Sequence, residues 1–123
     1  MSYYITVPPS IAPFSFNKEL SEGVRAQVAC VIEKGDPPFT IIWLKDGEPI
    51  ATSFPITPVV SATNSHKNSA TPSNVVGLRI TSMDQHSSTI AIDRVNAGHA
   101  GNYTCVARNS VAEVSSTAQL VVR

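Results

Sequence analysis

Apolar and polar residues alternate with a period of two along most of the chain. The clearest run lies at 26–32, where Ala26, Val28, Cys30 and Ile32 share one face. No helical period of useful length interrupts the pattern. Short alternating runs separated by turn signals predict an all-β antiparallel sandwich or barrel. We expect strands at about 8–14, 17–21, 24–33, 39–45, 48–52, 76–82, 88–94, 102–109 and 113–122.

Turn-forming residues lie where these strands should end. Asp46-Gly47 separates two apolar runs and predicts a tight hairpin, and a Gly-Asp-Pro-Pro turn occupies 35–38. Three prolines fall between residues 8 and 13. Because proline donates no hydrogen bond to a sheet, this first strand is expected at an edge.

The segment 53–74 differs from the rest of the chain because it is rich in Ser, Thr, Asn and Pro. Such a composition buries little apolar surface, which leaves three interpretations: a mobile loop, a binding loop, or a short edge strand near Val59. The expected organisation is an N-terminal extension at 1–7 followed by a single domain at 8–123, with a long loop at about 53–75.

Size and charge restrict the possible functions. With 123 residues the chain is long enough for one domain. Nine basic residues balance nine acidic ones, which argues against a nucleic acid partner. No apolar run is long enough to cross a membrane, so we expect no direct membrane contact from this stretch.

The residues also offer little support for catalysis. His66, His86 and His99 show no metal-ligand spacing to one another or to cysteines and carboxylates, and His99 is expected to form hydrogen bonds at a corner. No catalytic triad stands out among the many serines, and the six glycines are scattered. We therefore expect no enzyme activity, no cofactor and no metal site.

Two further features concern the cellular compartment. Cys30 and Cys105 lie 75 positions apart, which leaves either two buried thiols or one long-range disulfide, the latter requiring an oxidising compartment. Asn102-Tyr103-Thr104 is the single N-x-S/T sequence. Asn102 is thus either a glycosylation site or simply the first residue of a strand.

The order Cys30, Trp43, Tyr103 and Cys105 is typical of an immunoglobulin-like sandwich. In that fold the tryptophan packs on a disulfide between the sheets, and the tyrosine two residues before the second cysteine bonds back to the backbone. The run Ile90-x-Ile92-x-x-Val95 before Gly101 resembles the intermediate-set domains of cell-adhesion molecules.

A more specific resemblance comes from Ile11-Ala12-Pro13-Phe14 and from the run 99–109, HAGNYTCVARN. Both resemble the variable immunoglobulin domains of arthropod Dscam, namely the seventh domain of insect Dscam and the first domain of the shortened chelicerate proteins. The resemblance implies a Cys30–Cys105 disulfide and an extracellular ectodomain of a plasma-membrane protein. It also implies homophilic, isoform-specific pairing in an antiparallel two-fold dimer that supports neuronal self-avoidance.

The self-binding surface is expected on the sheet that carries the first strands, because Dscam-like variable domains pair through this sheet. Its outward side chains are small, contain no lysine and carry charges of both signs, as a two-fold contact requires. These candidates are Arg25, Gln27, Ala29, Val31, Arg79, Thr81, Ala91 and Asp93. Arg79 and Asp93 are expected to exchange partners across the axis.

Other interpretations remain open at this point. The opposite sheet turns Ile42, Leu44, Val106 and Arg108 outward, and its apolar area also suits a binding patch. A receptor domain for a different ligand or for a microbe is one alternative function. A structural domain of an intracellular filament protein, with Cys30 and Cys105 reduced, is another.

Overall fold

A computed structural model describes residues 5–17, 19–50 and 75–123 as a two-sheet antiparallel sandwich. The first sheet has the strand order β1-β2-β6-β5 and the second has the order β4-β3-β7-β8. The strands are β1 (Ser10–Ile11), β2 (Ala26–Lys34), β3 (Thr40–Lys45), β4 (Glu48–Pro49), β5 (Leu78–Asp84), β6 (Ser87–Ile92), β7 (Gly101–Arg108) and β8 (Glu113–Leu120). The expected all-β immunoglobulin sandwich is confirmed. The features expected within 51–74 lie outside the described residues.

The alternation in the sequence becomes the two faces of each strand. Along β2, buried and exposed residues alternate from Ala26 to Glu33. Val28 of β2 lies opposite Ile90 of β6, and Trp43 of β3 lies opposite Cys105 of β7. The inward side chains of both sheets form one hydrophobic core.

The beginning of the chain differs from the expectation. In the segment where a strand is expected at 8–14, β1 itself covers only Ser10 and Ile11, with a register shift between them, and the Ala12 amide adds a bond to the Val31 carbonyl at 2.9 Å. The strand expected at 17–21 is replaced by an isolated parallel bridge between Leu20 and Val122. The Leu20 amide donates to the Val121 carbonyl at 3.0 Å. Proline at 13 cannot continue the ladder, so the chain leaves the first sheet and reaches the end of the second.

Two later elements refine the prediction. The Asp46-Gly47 hairpin between β3 and β4 is confirmed, and both turn residues have positive φ, 51° and 85°. β5 continues past Ser82 to Asp84 through an irregularity in its pairing with β6. This extension adds Met83 and Asp84 to the outer face of the first sheet.

A short 3-10 turn at Ala97–His99 leads into β7. Across the described ranges, no helix combines the length and apolar character needed to cross a bilayer.

Candidate functional site

A disulfide between Cys30 and Cys105 joins β2 of the first sheet to β7 of the second. Both cysteines are fully buried, and the S–S distance is 2.00 Å. Trp43 lies opposite Cys105, and its indole N–H donates to the Ser88 hydroxyl at 3.0 Å. The disulfide and the indole hydrogen bond therefore fix the distance between the two sheets. The positions of the outward side chains depend on that distance.

Tyr103 forms the corner bond that the sequence pattern predicts. Its hydroxyl donates to the carbonyl of His99 at 2.6 Å, and its ring packs edge-on against Phe16. Burial raises the pKa of the Tyr103 hydroxyl well above its ordinary value, and the nearby charge of Asp46 adds to the shift. Tyr103 therefore keeps its proton and holds the turn before β7 against the core.

His99 is buried, and both ring nitrogens are used within the domain. Nδ1 accepts from the Asn96 amide at 3.0 Å, and Nε2 lies 2.7 Å from the Val76 carbonyl, to which it donates in the neutral tautomer. The Asn96 side chain accepts from the Gly98 amide at 2.8 Å. These bonds give His99 the structural corner role expected from the sequence.

Asp46 does more than form a turn. Its carboxylate accepts from the Asn102 amide at 2.9 Å and forms an ion pair with Lys45 at 3.1 Å. The bond from the Asn102 amide, followed by the bond from Lys45, lowers the pKa of the Asp46 carboxyl. Asn102 itself is exposed at the start of β7, and its glycosylation stays a prediction.

The outer face of the first sheet forms a shallow groove of about 550 Å³. Seven of the eight predicted interface residues line it, namely Arg25, Gln27, Ala29, Val31, Arg79, Thr81 and Ala91. The eighth, Asp93, adjoins the groove through its bonds to Arg25 and Arg79. The structure thus brings the predicted residues together on one surface, which we call the groove face.

The charged end of the groove face is arranged differently from the expectation. Asp93 Oδ1 accepts from Arg25 Nη1 and from Arg79 Nη2, the latter at 2.9 Å, within one copy of the chain. Arg25 also donates to the Gln27 side chain at 2.9 Å. An exchange of Arg79 and Asp93 between copies would therefore have to break an existing pair. Two arginines sharing one aspartate leave this end with a net positive charge.

Sequence reasoning missed the other end of the groove face. Met83, Asp84 and Ser87 line it, and Met83 is 66% exposed. The Asp84 carboxylate accepts from the His86 amide at 2.7 Å and from the Ser87 hydroxyl at 3.2 Å. Extending the period-two pattern of β5 from Arg79 through Thr81 to Met83 would have found it.

The outer face of the second sheet is more apolar near β3. Ile42 is 39% exposed, Leu44 is partly buried, and Val106 is 8% exposed. Towards β8 the surface becomes polar, with a hydroxyl pair between Thr104 and Thr117 at 2.7 Å. The exposed apolar area there is smaller than the sequence suggested, because Val106 lies in the middle of the sheet.

Within 5–17, 19–50 and 75–123, no group of three or more His, Cys, Asp or Glu side chains is placed to hold a metal ion.

Comparisons with known families and sequences agree with this architecture. The immunoglobulin domain family matches residues 8–109. The cell adhesion molecule Dscam2 of Drosophila melanogaster is 39% identical over 119 residues, or 97% of this chain. The human cell adhesion molecule DSCAM is 37% identical over the same length. The chain spans about 5% of the length of each of these relatives.

Solved structures of immunoglobulin domains are also similar to this chain over nearly its whole length. The isoform 5 Ig7 domain of Dscam1 is 30% identical with a TM-score of 0.75, covering 95% of this chain and 98% of that one. An I-band fragment of titin is 25% identical with a TM-score of 0.64, covering 94% of this chain and 32% of that one. The sandwich is therefore shared with both proteins, whereas the sequence is more similar to Dscam.

Proposed function

Because this chain belongs to the immunoglobulin domains of the Dscam family of cell adhesion molecules, we propose that it is a homophilic recognition module. Two copies on apposed cell surfaces bind each other through the groove face in an antiparallel two-fold arrangement. Pairing is selective for identical isoforms and supports neuronal self-avoidance.

The observation that carries this proposal is the composition of the groove face. Its centre presents Ala29, Thr81, Thr89 and Ala91, whose short side chains let a second sheet approach closely. Positive and negative groups share the face, so a two-fold contact brings opposite charges together. A patch of this size on one small domain suits micromolar affinity, about 8 kcal/mol.

The disulfide supports an extracellular location, in the ectodomain of a membrane-anchored receptor. Disulfides such as Cys30–Cys105 persist in oxidising compartments and are rare in the cytosol. The filament-protein alternative requires the same two cysteines to stay reduced. Counting free thiols in the denatured, non-reduced chain tests the location, since two reactive thiols would favour the filament alternative.

Sedimentation of matched arginine variants tests the binding surface. Thr81→Arg places a long charged side chain at the centre of the groove face and should abolish the dimer. Ser115→Arg makes a similar change at an exposed position on the outer face of the second sheet and should leave it intact. Loss of the dimer in Ser115→Arg alone would move the contact to the second sheet, and a monomeric parent at high micromolar concentration would reject homophilic binding.

A further inference from the structure

We infer a specific register for the self-contact, which rests on the proposed homophilic function. The two-fold axis crosses the groove face at the row of Ala29, Thr89 and Thr81. Arg25 then faces the partner's Glu33, and Arg79 faces the partner's Asp84. Glu33 and Asp84 thereby become specificity-determining residues, although sequence reasoning did not include them among the interface candidates.

The pairing of the strands places three small residues in one row across the sheet. Ala29 of β2 lies opposite Thr89 of β6, and Thr89 lies opposite Thr81 of β5. The same row is the midpoint of the outward positions on β2 and β5. Ala29 is equidistant in sequence from Arg25 and Glu33. On β5, Arg79 lies opposite Ala91 and Asp84 lies opposite Ser87, and these two β6 residues are each two positions from Thr89. A two-fold axis through this row therefore gives the largest overlap between the groove faces of the two copies.

Charge is distributed unevenly about this row. At one end Arg25 and Arg79 share the single carboxylate of Asp93. At the other end Asp84 is exposed, and Glu33 is exposed on the same side of β2 as Ala29. Among the described residues, none of the ion pairs within 4 Å involves Glu33 or Asp84. One end thus offers unneutralised positive charge and the other offers unneutralised negative charge.

This polarity selects the orientation of the two copies. Stacked sheets related by an axis along the strands would lay β2 over β5 in the same direction and set Arg25 against the partner's Arg79. An axis across the strands lays β2 over β2 in opposite directions and brings each positive end onto a negative one. Because like charges that face each other are unfavourable, the antiparallel arrangement is preferred.

The negative end is already fixed in position before any contact is made. The Asp84 carboxylate accepts hydrogen bonds from the His86 amide and the Ser87 hydroxyl, which fix its position. Its remaining lone pairs are free to accept from a partner. Met83 and Val31, 66% and 40% exposed, line the same end of the groove face. Their apolar surface suits the aliphatic stems of incoming arginines, whose guanidinium groups then reach the carboxylates.

A charge-swap cycle between positions 25 and 33 tests the register. Arg25→Glu and Glu33→Arg each set like charges against each other at two symmetric places, so each should raise the dimer dissociation constant at least about tenfold. The double variant restores opposite charges and should return within about threefold of the parent. Glu48→Arg makes the same charge change at an exposed position in the second sheet and is the matched control.

Sedimentation equilibrium at low and high salt reads out each variant. The single-variant defects should shrink in high salt, which screens exposed charges. Dimers of the parent and of Glu48→Arg, with none of Thr81→Arg, would support the groove face as the contact surface. If in the same experiment the double variant binds as weakly as the single variants, the proposed register is wrong. A monomeric parent instead overturns the homophilic function, and the register with it.

Discussion

The outer faces of the two sheets differ, although both inner faces have to bury apolar side chains in the same core. Inside, both sheets present apolar side chains to one core that the Cys30–Cys105 disulfide crosses. Outside, the groove face has a row of small residues flanked by charges of both signs. The second sheet instead carries the half-exposed Ile42 beside a polar stretch around Thr104 and Thr117.

This difference separates what folding requires from what function selects. Burial and hydrogen bonding dictate the inner faces, so any immunoglobulin domain has a similar core. Neither requirement explains why Arg25 and Arg79 converge on one aspartate, because exposed ion pairs contribute little stability. The proposed two-fold contact would give this arrangement a reason. The variants below test the difference between the two sheets, from the largest expected effect to the smallest.

Removing the link between the sheets should have the largest effect on both faces. Replacing Cys30 and Cys105 by alanine together should lower the free energy of unfolding by about 4 kcal/mol, because the bond closes a long loop of the unfolded chain. Urea unfolding of the variant and the parent measures the change. An unchanged midpoint would show that the core alone sets the spacing of the sheets.

Tyr103→Phe should cost less, about 1 to 3 kcal/mol, because it leaves the buried His99 carbonyl without its donor. The ring contact with Phe16 is kept, so the change isolates the hydroxyl. The raised pKa of Tyr103 adds a dependence on pH. The unfolded state releases this proton first, so the contribution is complete below about pH 10 and is lost as the pH rises further.

Alkaline titration of stability compares the two proteins directly. The parent should lose stability more steeply above pH 10 than Tyr103→Phe does. Parallel curves would mean that the corner hydroxyl ionises as readily in the folded state as in the unfolded one.

Gly101→Ala tests how tightly β7 packs against the Asp46 turn. Gly101 has a φ of 150°, and a Cβ there would lie 2.6 Å from Asp46 Oδ2. The strain should cost about 1 to 3 kcal/mol in thermal or urea unfolding. In an Asp46→Gly background the clash is absent, so the same substitution should cost less. Equal costs in both backgrounds would attribute the whole effect to the backbone.

Asp93→Asn should have the smallest effect on stability, less than about 1 kcal/mol, because its ion pairs are exposed. Its effect on self-association is different. The positive end of the groove face becomes more positive, so dimerisation should depend more steeply on salt than in the parent. Sedimentation across a salt series measures the slope, and an unchanged slope would count against an electrostatic contact at this end.

The fold could be predicted because period-two patterning depends on local strand geometry, and because the Cys-Trp-Tyr-Cys order is typical of the immunoglobulin sandwich. Alternation predicts that Cys30 and Trp43 point inward from their own strands, and the resemblance to an immunoglobulin sandwich implies that those strands face each other. The start of the chain was harder to predict, because Leu20 meets Val122 across more than a hundred residues and period-two patterning does not specify parallel bridges.

The sequence predicted most of the residues that form the groove face, but it did not predict how their charged side chains pair. Alternation placed Arg25, Arg79 and Asp93 on one side of the sheet. It did not specify that both arginines bond one carboxylate oxygen, since that depends on the side-chain conformations of three adjacent strand ends. Asp84 lies beyond the strand expected at 76–82, because an irregularity after Ser82 carries β5 further than a regular period of two predicts.

Cross-linking at the proposed axis tests antiparallel self-pairing most directly. If the axis crosses β2 at Ala29, a cysteine there lies near its own copy in the partner, so Ala29→Cys should be joined into a covalent dimer by a short bis-maleimide. Gln27→Cys should cross-link poorly with itself, because it faces the partner's Val31, and Ser115→Cys on the second sheet should not cross-link. Efficient dimer formation by Ser115→Cys with none by Ala29→Cys would contradict pairing through the groove face.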